Sequence, residues 1–374
     1  MNISILSSSH NYNDDRLYYH FSKSLSKKGH SVNIVSSDAD IDISGKISIS
    51  SFNGFKYTRA EKIELYLDKL SKYKPDVIIC LEPITIIAAK RYSKSKGIKI
   101  IYDITEWYPS KSQLKNHFIV FRPFYFLVYF FLFIYTCFLT DGFIYGEYFK
   151  GLMPKNIFSS KKIIQISYYP KKKYIKYKEP NINNNLLKLC YTGKLSIEKG
   201  LINFLDVLKE LINNNSNLNI DVKLIGEFSL EDKEKCLNQI NELDKKIRFS
   251  FFKFQELTKY IQLIRNTDIF LDLRSLDWIN SHSLPIKLFY FMGLQRPVIY
   301  SDLKAIRKEV EIESFGYLVN PKNSKKIAEL IHDYQNNKNI YIAHCTNARS
   351  LFELKYNWKI IEEKFIAFVE NFKS

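Results

Sequence analysis

Residues 189–200 read Leu-Cys-Tyr-Thr-Gly-Lys-Leu-Ser-Ile-Glu-Lys-Gly. Apolar Leu187, Leu189, Cys190 and Tyr191 predict a strand, and Gly193 predicts the turn that ends it. Two cations follow, Lys194 and Lys199. Gly200 then opens a helix whose apolar positions are Leu201, Phe204, Leu205, Leu208, Leu211 and Ile212. A strand, a glycine turn, cations and a helix start together suit a phosphate. The first helical N–H groups lack partners within the helix, the dipole is positive there, and lysines add whole charges. The stretch therefore implies a nucleotide-linked substrate.

Strand-like and helix-like segments alternate on both sides of this stretch. Ahead of it, strands are expected at 3–6, 31–35, 46–51, 76–81 and 99–102, with helices at 15–28, 61–71 and 86–95. Beyond it, strands are expected at 221–225, 247–251, 268–273, 298–300 and 317–319. Helices fall at about 256–265, 285–293 and 323–336. Such alternation implies α/β architecture with parallel sheets covered on both faces. The charged and asparagine-rich run 171–185 marks a boundary. Two Rossmann-like domains are expected, 1–175 and 186–357, facing across a cleft. The terminal segment 358–374 holds an amphipathic helix expected to pack back on the first domain. In open parallel sheets, ligands sit at the carboxyl ends of strands.

The chain has 374 residues, 46% hydrophobic and 25% charged, which fits two globular domains and excludes a disordered chain. Its formal charge of +17 favours anionic partners: nucleotide phosphates, an acidic membrane surface or nucleic acid. No zinc-finger spacing, RNP-like motif or helix-turn-helix pattern supports nucleic acid. The five scattered cysteines, Cys80, Cys137, Cys190, Cys236 and Cys345, argue against a disulfide framework or structural zinc. The short apolar run at residues 1–6 is not that of a signal peptide, so a cytoplasmic location is expected.

Residues 118–139 stand apart. After Pro123 no charged side chain occurs up to residue 139. Three readings follow: a buried or groove-forming helix, a helix lying in the membrane interface with Lys111, Lys115 and Arg122 toward lipid phosphates, or a spanning helix. Spanning would put the two halves of the chain on opposite sides of a bilayer and break the sheet. A partly buried helix with one lipid-facing side is preferred.

Four segments resemble glycosyltransferase family 4, retaining enzymes of the GT-B fold. They are Asp14-Asp15-Arg16-Leu17 with Gly29-His30-Ser31-Val32, Tyr102-Asp103-Ile104-Thr105-Glu106-Trp107-Tyr108-Pro109, Gly193 through Gly200, and Leu284-Pro285-Ile286-Lys287-Leu288-Phe289-Tyr290-Phe291-Met292 with Arg296-Pro297-Val298-Ile299. The resemblance implies transfer of a sugar from a nucleoside diphosphate to an acceptor, with retention and no obligatory metal or other cofactor. It places donor binding at Gly193, Lys194, Lys199, Gly200, Arg274, Lys287 and Tyr290. It points to Glu106 and Thr105 as catalytic candidates and to Arg16 as an acceptor contact. Structural alternatives stand beside these: solvated lysines at 194 and 199, and a loop-capping carboxylate at Glu106. The family usually has histidine where this chain has Thr105 and glutamate where it has Tyr290. The implied setting is bacterial surface polysaccharide synthesis, such as O antigen, lipopolysaccharide or capsule. The acceptor would be a lipid-linked glycan met at the inner face of the plasma membrane. A catalytically weakened relative that binds nucleotide sugar or glycan is the alternative.

Overall fold

The computed structural model describes residues 1–374 apart from 95, 110, 116, 244 and 374, and leaves out the side chains at 111 and 112. It divides into two units, Met1–Tyr168 with Ile361–Ser374, and Tyr169–Ile360.

The first unit is built on eight strands: β1 (Asn2–Ser7), β2 (Ser31–Ser36), β3 (Ile41–Ile43), β4 (Ile47–Ser51), β5 (Val77–Cys80), β6 (Lys99–Ile104), β7 (Gly142–Tyr145) and β8 (Lys162–Gln165). Their order is β3-β4-β2-β1-β5-β6-β7-β8. All pairs are parallel except β3 with β4 at the edge. From β1 the chain first builds toward β2 and later toward β5. The sheet's switch point therefore lies between the carboxyl ends of β1 and β5, where side chains from several loops converge. Central strands such as Val77–Cys80 are fully buried, as a sheet covered on both faces requires.

Several first-unit elements differ from the sequence reading. Residues 15–28 form Asp15–Ser22 in the wide π-helical form, then Lys23–Lys27 as α-helix. The helix expected at 86–95 starts earlier, at Pro83, because proline suits a first helical turn and Glu82 caps it. β7 and β8 and the helix Tyr148–Ile157 were not anticipated. Gly142-Phe143-Ile144-Tyr145 follows so closely on the apolar helix Arg122–Leu139 that one hydrophobic run merges into the next.

The second unit has six parallel strands: β9 (Leu186–Thr192), β10 (Asn219–Ile225), β11 (Ile247–Phe252), β12 (Ile269–Asp272), β13 (Val298–Ser301) and β14 (Gly316–Val319). Their order is β11-β10-β9-β12-β13-β14. Its switch point lies between β9 and β12. The core joins Leu187, Leu189 and Tyr191 of β9 to Leu201, Phe204, Leu205 and Leu208 of the helix Leu201–Asn214. The helices Lys233–Asn241 and Lys338–Leu354 were likewise not anticipated. The division falls at Tyr168–Tyr169, ahead of the boundary expected at 171–185. The reason is that Ile175 and Ile182, inside that polar run, are buried, Ile182 in the core of the second unit. The five cysteines are buried free thiols.

Candidate functional site

In the second unit, the carboxyl ends of β9 and β12 form a recess of about 110 Å³. Tyr191, Thr192, Lys194, Lys199, Leu271, Asp272, Arg274, Lys287 and Phe291 line it. The backbone explains both glycines. Gly193 has φ +110°, and a side chain there would meet the Lys287 ammonium. Gly200 has φ +86°, and a side chain there would meet the Leu273 carbonyl. Both positions need the left-handed backbone that glycine adopts without a steric cost. Gly200 also leaves the helix Leu201–Asn214 without a side-chain cap, and the Leu201 N–H donates to the Ser196 carbonyl at 3.1 Å.

The cations are held from different elements. Lys287 opens the helix Lys287–Gly293 and donates from Nζ to the Thr192 carbonyl at the end of β9. Lys199 donates to Asn280 Oδ1 at 2.8 Å. Arg274 grips Asp272 through Nε at 2.7 Å and through Nη2. Lys194 is exposed at the rim. Asp272 is thus the one carboxylate among four cations in the lining.

That imbalance shows in the titration of the groups. Burial lowers Lys287 to about 8; Asp272 opposes that shift, and Arg274 and Lys199 repel the ammonium. Burial and then Arg274 also lower Lys199. Burial would raise Asp272, but the Arg274 guanidinium outweighs it and holds the carboxyl low. An anion entering the recess would relieve the repulsion and be stabilised in return.

Tyr290 sits elsewhere. It is buried on the same helix as Lys287 and meets the Tyr260 ring edge-on at 6.1 Å, while the Tyr260 hydroxyl donates to Thr192 Oγ1 at 3.3 Å. It is not among the residues lining the recess. Arg296 is structural: its guanidinium donates to the carbonyls of Thr267, Leu294, Gln295 and Arg265.

In the first unit, a second polar cluster gathers at the carboxyl ends of β1, β5 and β6. Glu82 accepts from Ser7 Oγ, Ser8 N, Ser9 N and Ser9 Oγ at 2.5–3.2 Å, which fixes the loop after β1. His10 Nδ1 lies 3.6 Å from Asp14 Oδ2, and His10 Nε2 lies 3.4 Å from Thr105 Oγ1. The Thr105 carbonyl accepts from Lys150 Nζ, which pairs with Glu147 at 2.9 Å. Glu106 is exposed beside them. Arg16 points inward. Its guanidinium is bonded to Asp103 and to the Ile166 carbonyl, so it does not face an open surface. Asp14 caps the helix start, accepting from Arg16 N at 2.8 Å and Leu17 N at 3.3 Å.

The sequence reading passed over His10, Glu82, Lys150 and Asp272. His10 and Asp14, four residues apart, were a local signal for the pair. Burial alone would lower His10, but Asp14, then Glu82 and Glu106, raise it from 6.5 to about 9. A raised folded value means that the charged ring stabilises the unit fully below pH 6.5. The contribution is lost as pH rises from 6.5 through about 9. In Asp14→Asn, the His10 midpoint followed by NMR is expected to fall back toward 6.5. An unmoved midpoint would show that Asp14 does not set it.

Two parallel-sheet α/β units with polar clusters at their switch points define the GT-B class of fold. Residues 173–350 match the family model described as glycosyl transferases group 1. Most of the second unit thus matches a glycosyltransferase domain, and that match together with the fold supports a glycosyltransferase enzyme. No curated protein matches the chain in sequence. Solved structures of similar fold include sucrose-phosphate synthase from Thermosynechococcus elongatus, 13% identical over 99% of this chain and 98% of that one, TM-score 0.74. Another is Anabaena Alr3699/HepE in complex with UDP, 12% identical over 99% and 100%, TM-score 0.66. A third is the lipopolysaccharide outer core galactosyltransferase WaaB, 16% identical over 99% and 100%, TM-score 0.62.

Proposed function

We propose that the chain is a retaining glycosyltransferase that moves a sugar from a nucleoside diphosphate to a lipid-linked or polysaccharide acceptor in bacterial surface polysaccharide synthesis. One observation carries the donor side: four cations line a recess whose lining holds a single carboxylate. Lys194, Lys199, Arg274 and Lys287 would hold the diphosphate. As the sugar leaves, the diphosphate gains negative charge. Fixed, partly desolvated cations such as Lys287 then stabilise it more than they stabilise the ground state. No step in this reading is routed through a metal. Thr105 and Glu106 are the polar groups offered to the acceptor side, with His10 beside them. The acceptor class and the retained configuration rest on the family resemblance; among structures of like fold, WaaB is a lipopolysaccharide outer core galactosyltransferase and HepE binds UDP.

Tyr290 favours a second reading, nucleotide-sugar binding without turnover, because a tyrosine stands, buried against Tyr260, where the resemblance expects a glutamate. A thermal-shift screen over UDP, GDP, ADP and their sugars tests both. One nucleotide family at 100 times its Kd is expected to add about 2.7 kcal/mol of stability and to shift the melting point upward. Product release from the same donor, with a glycan acceptor present, separates transfer from mere binding. The absence of any nucleotide-dependent shift would defeat both readings.

A further inference from the structure

Between Glu106 and Asp141 the sequence holds no Asp or Glu and three basic residues, Lys111, Lys115 and Arg122. Residues Ile119–Leu139 form a helical stretch long and apolar enough to cross a bilayer, yet only 11% of its most apolar window is buried inside the protein. The buried positions of the helix Arg122–Leu139 are Phe133, Thr136 and Cys137, all in its second half. There Phe133 stacks on Tyr108 with ring centroids 5.7 Å apart. Ahead of them Phe118, Val120, Phe121, Phe124, Leu127 and Phe131 are each more than half exposed. The loop before the helix is tied down. The His117 ring stacks on Tyr125 at 3.5 Å, and its Nε2 lies 3.0 Å from the Tyr129 hydroxyl. A contiguous apolar face of this size on an ordered element marks an interaction surface.

The helix does not span. It is the crossover between β6 and β7, which pair in parallel with Ile101 opposite Gly142. Lys161 holds its last turn, donating to the carbonyls of Cys137 at 2.8 Å, Phe138 at 3.0 Å and Thr140. Crossing a bilayer would tear these strands apart. The helix is thus anchored at its carboxyl end and exposed at its amino end.

We propose that the amino-terminal half of this helix and the turn before it dock into the surface of an anionic phospholipid bilayer. The phenyl rings would sit at the acyl boundary, with Lys115 and Arg122 at the headgroup phosphates. An acid-free stretch carrying only positive charge complements such a surface, and aromatic residues favour its depth. The proposal deepens the transfer reading, on which its lipid-linked acceptor rests, by giving that acceptor a place beside the first unit.

The test is co-sedimentation of the full chain with vesicles of phosphatidylcholine alone or mixed with phosphatidylglycerol. Binding is expected to the mixed vesicles and to weaken with salt. Phe121→Ser with Phe124→Ser is expected to weaken it by at least roughly tenfold, since each removes a phenyl that the bilayer would bury. Arg122→Glu should weaken it only where phosphatidylglycerol is present. Melting temperatures of the variants check that the fold is kept: Phe121 and Phe124 are exposed, and Arg122 is half-buried with Nε donating to the His117 carbonyl at 3.2 Å. Equal recovery with and without phosphatidylglycerol, or none with either, would overturn the proposal. So would a dimer in ultracentrifugation that the phenylalanine substitutions abolish while vesicle binding stays unchanged. The vesicle test needs no nucleotide, so its failure leaves the transfer reading to the thermal-shift screen.

Discussion

Replacing Lys199 by methionine is expected to lower turnover by roughly 10²–10³-fold while the melting temperature stays put. The lysine is half-buried, its ammonium is fixed by Asn280 Oδ1 at 2.8 Å, and burial together with Arg274 holds its pKa below the usual lysine value. Such a group has already lost much of its hydration, so it interacts strongly with an incoming charge. The charge that matters most is the one that develops on the leaving diphosphate, because only a contact stronger in the transition state raises kcat. Methionine keeps the length and apolar stem and removes the charge. It also relieves repulsion with Arg274, which is why the fold should not suffer. The measurement is kcat and KM with the donor identified by thermal shift. A fall in kcat and kcat/KM together places Lys199 on the departing phosphate, and a rise in KM alone reduces it to a ground-state contact. Unchanged kinetics would remove it from the site.

This half of the molecule was legible because its grammar is local. Strand, Gly193, Lys199, Gly200 and helix are consecutive in sequence, and each glycine is required by the backbone where it stands. Arg274 and Lys287 could be read from their places beside a strand end and a helix start. Asp272 could not. It ends an apolar strand, and only the folded chain shows that it is the counter-ion of Arg274. The first unit was harder for the same reason, carried further. Glu82 reaches the loop at Ser8, 74 residues away, and Arg16 reaches Asp103, 87 residues away. No periodicity carries contacts of that span. The motif register placed Tyr290 at the donor, and the folded chain shows its ring buried against Tyr260, whose hydroxyl reaches Thr192. Hydropathy marked the helix Arg122–Leu139 but left three placements open, and the parallel pairing of β6 with β7 rules out the spanning one.

Arg16→Met is expected to destabilise the chain by about 3–5 kcal/mol, the cost of leaving a buried charge without its partner. Arg16 Nε lies 2.5 Å from Asp103 Oδ2, Nη2 donates to Asp103 Oδ1 at 2.7 Å, and Nη1 donates to the Ile166 carbonyl at 3.0 Å. The guanidinium also lies 4.6 Å from the Phe21 ring centre and 4.3 Å from that of Tyr168. Asp103 has no solvent exposure, so water cannot replace the lost donors. Asp103→Asn in the same chain should recover part of the loss, because the orphaned charge is then gone, and a double-mutant cycle measures the coupling. Denaturant unfolding reports the free energies, and acceptor KM reports the competing role. An arginine that served the acceptor would give the reverse pattern, a raised acceptor KM with unfolding midpoints unmoved. The two patterns share no outcome, so one variant decides whether this motif holds a substrate or ties the helix after β1 to the end of β6.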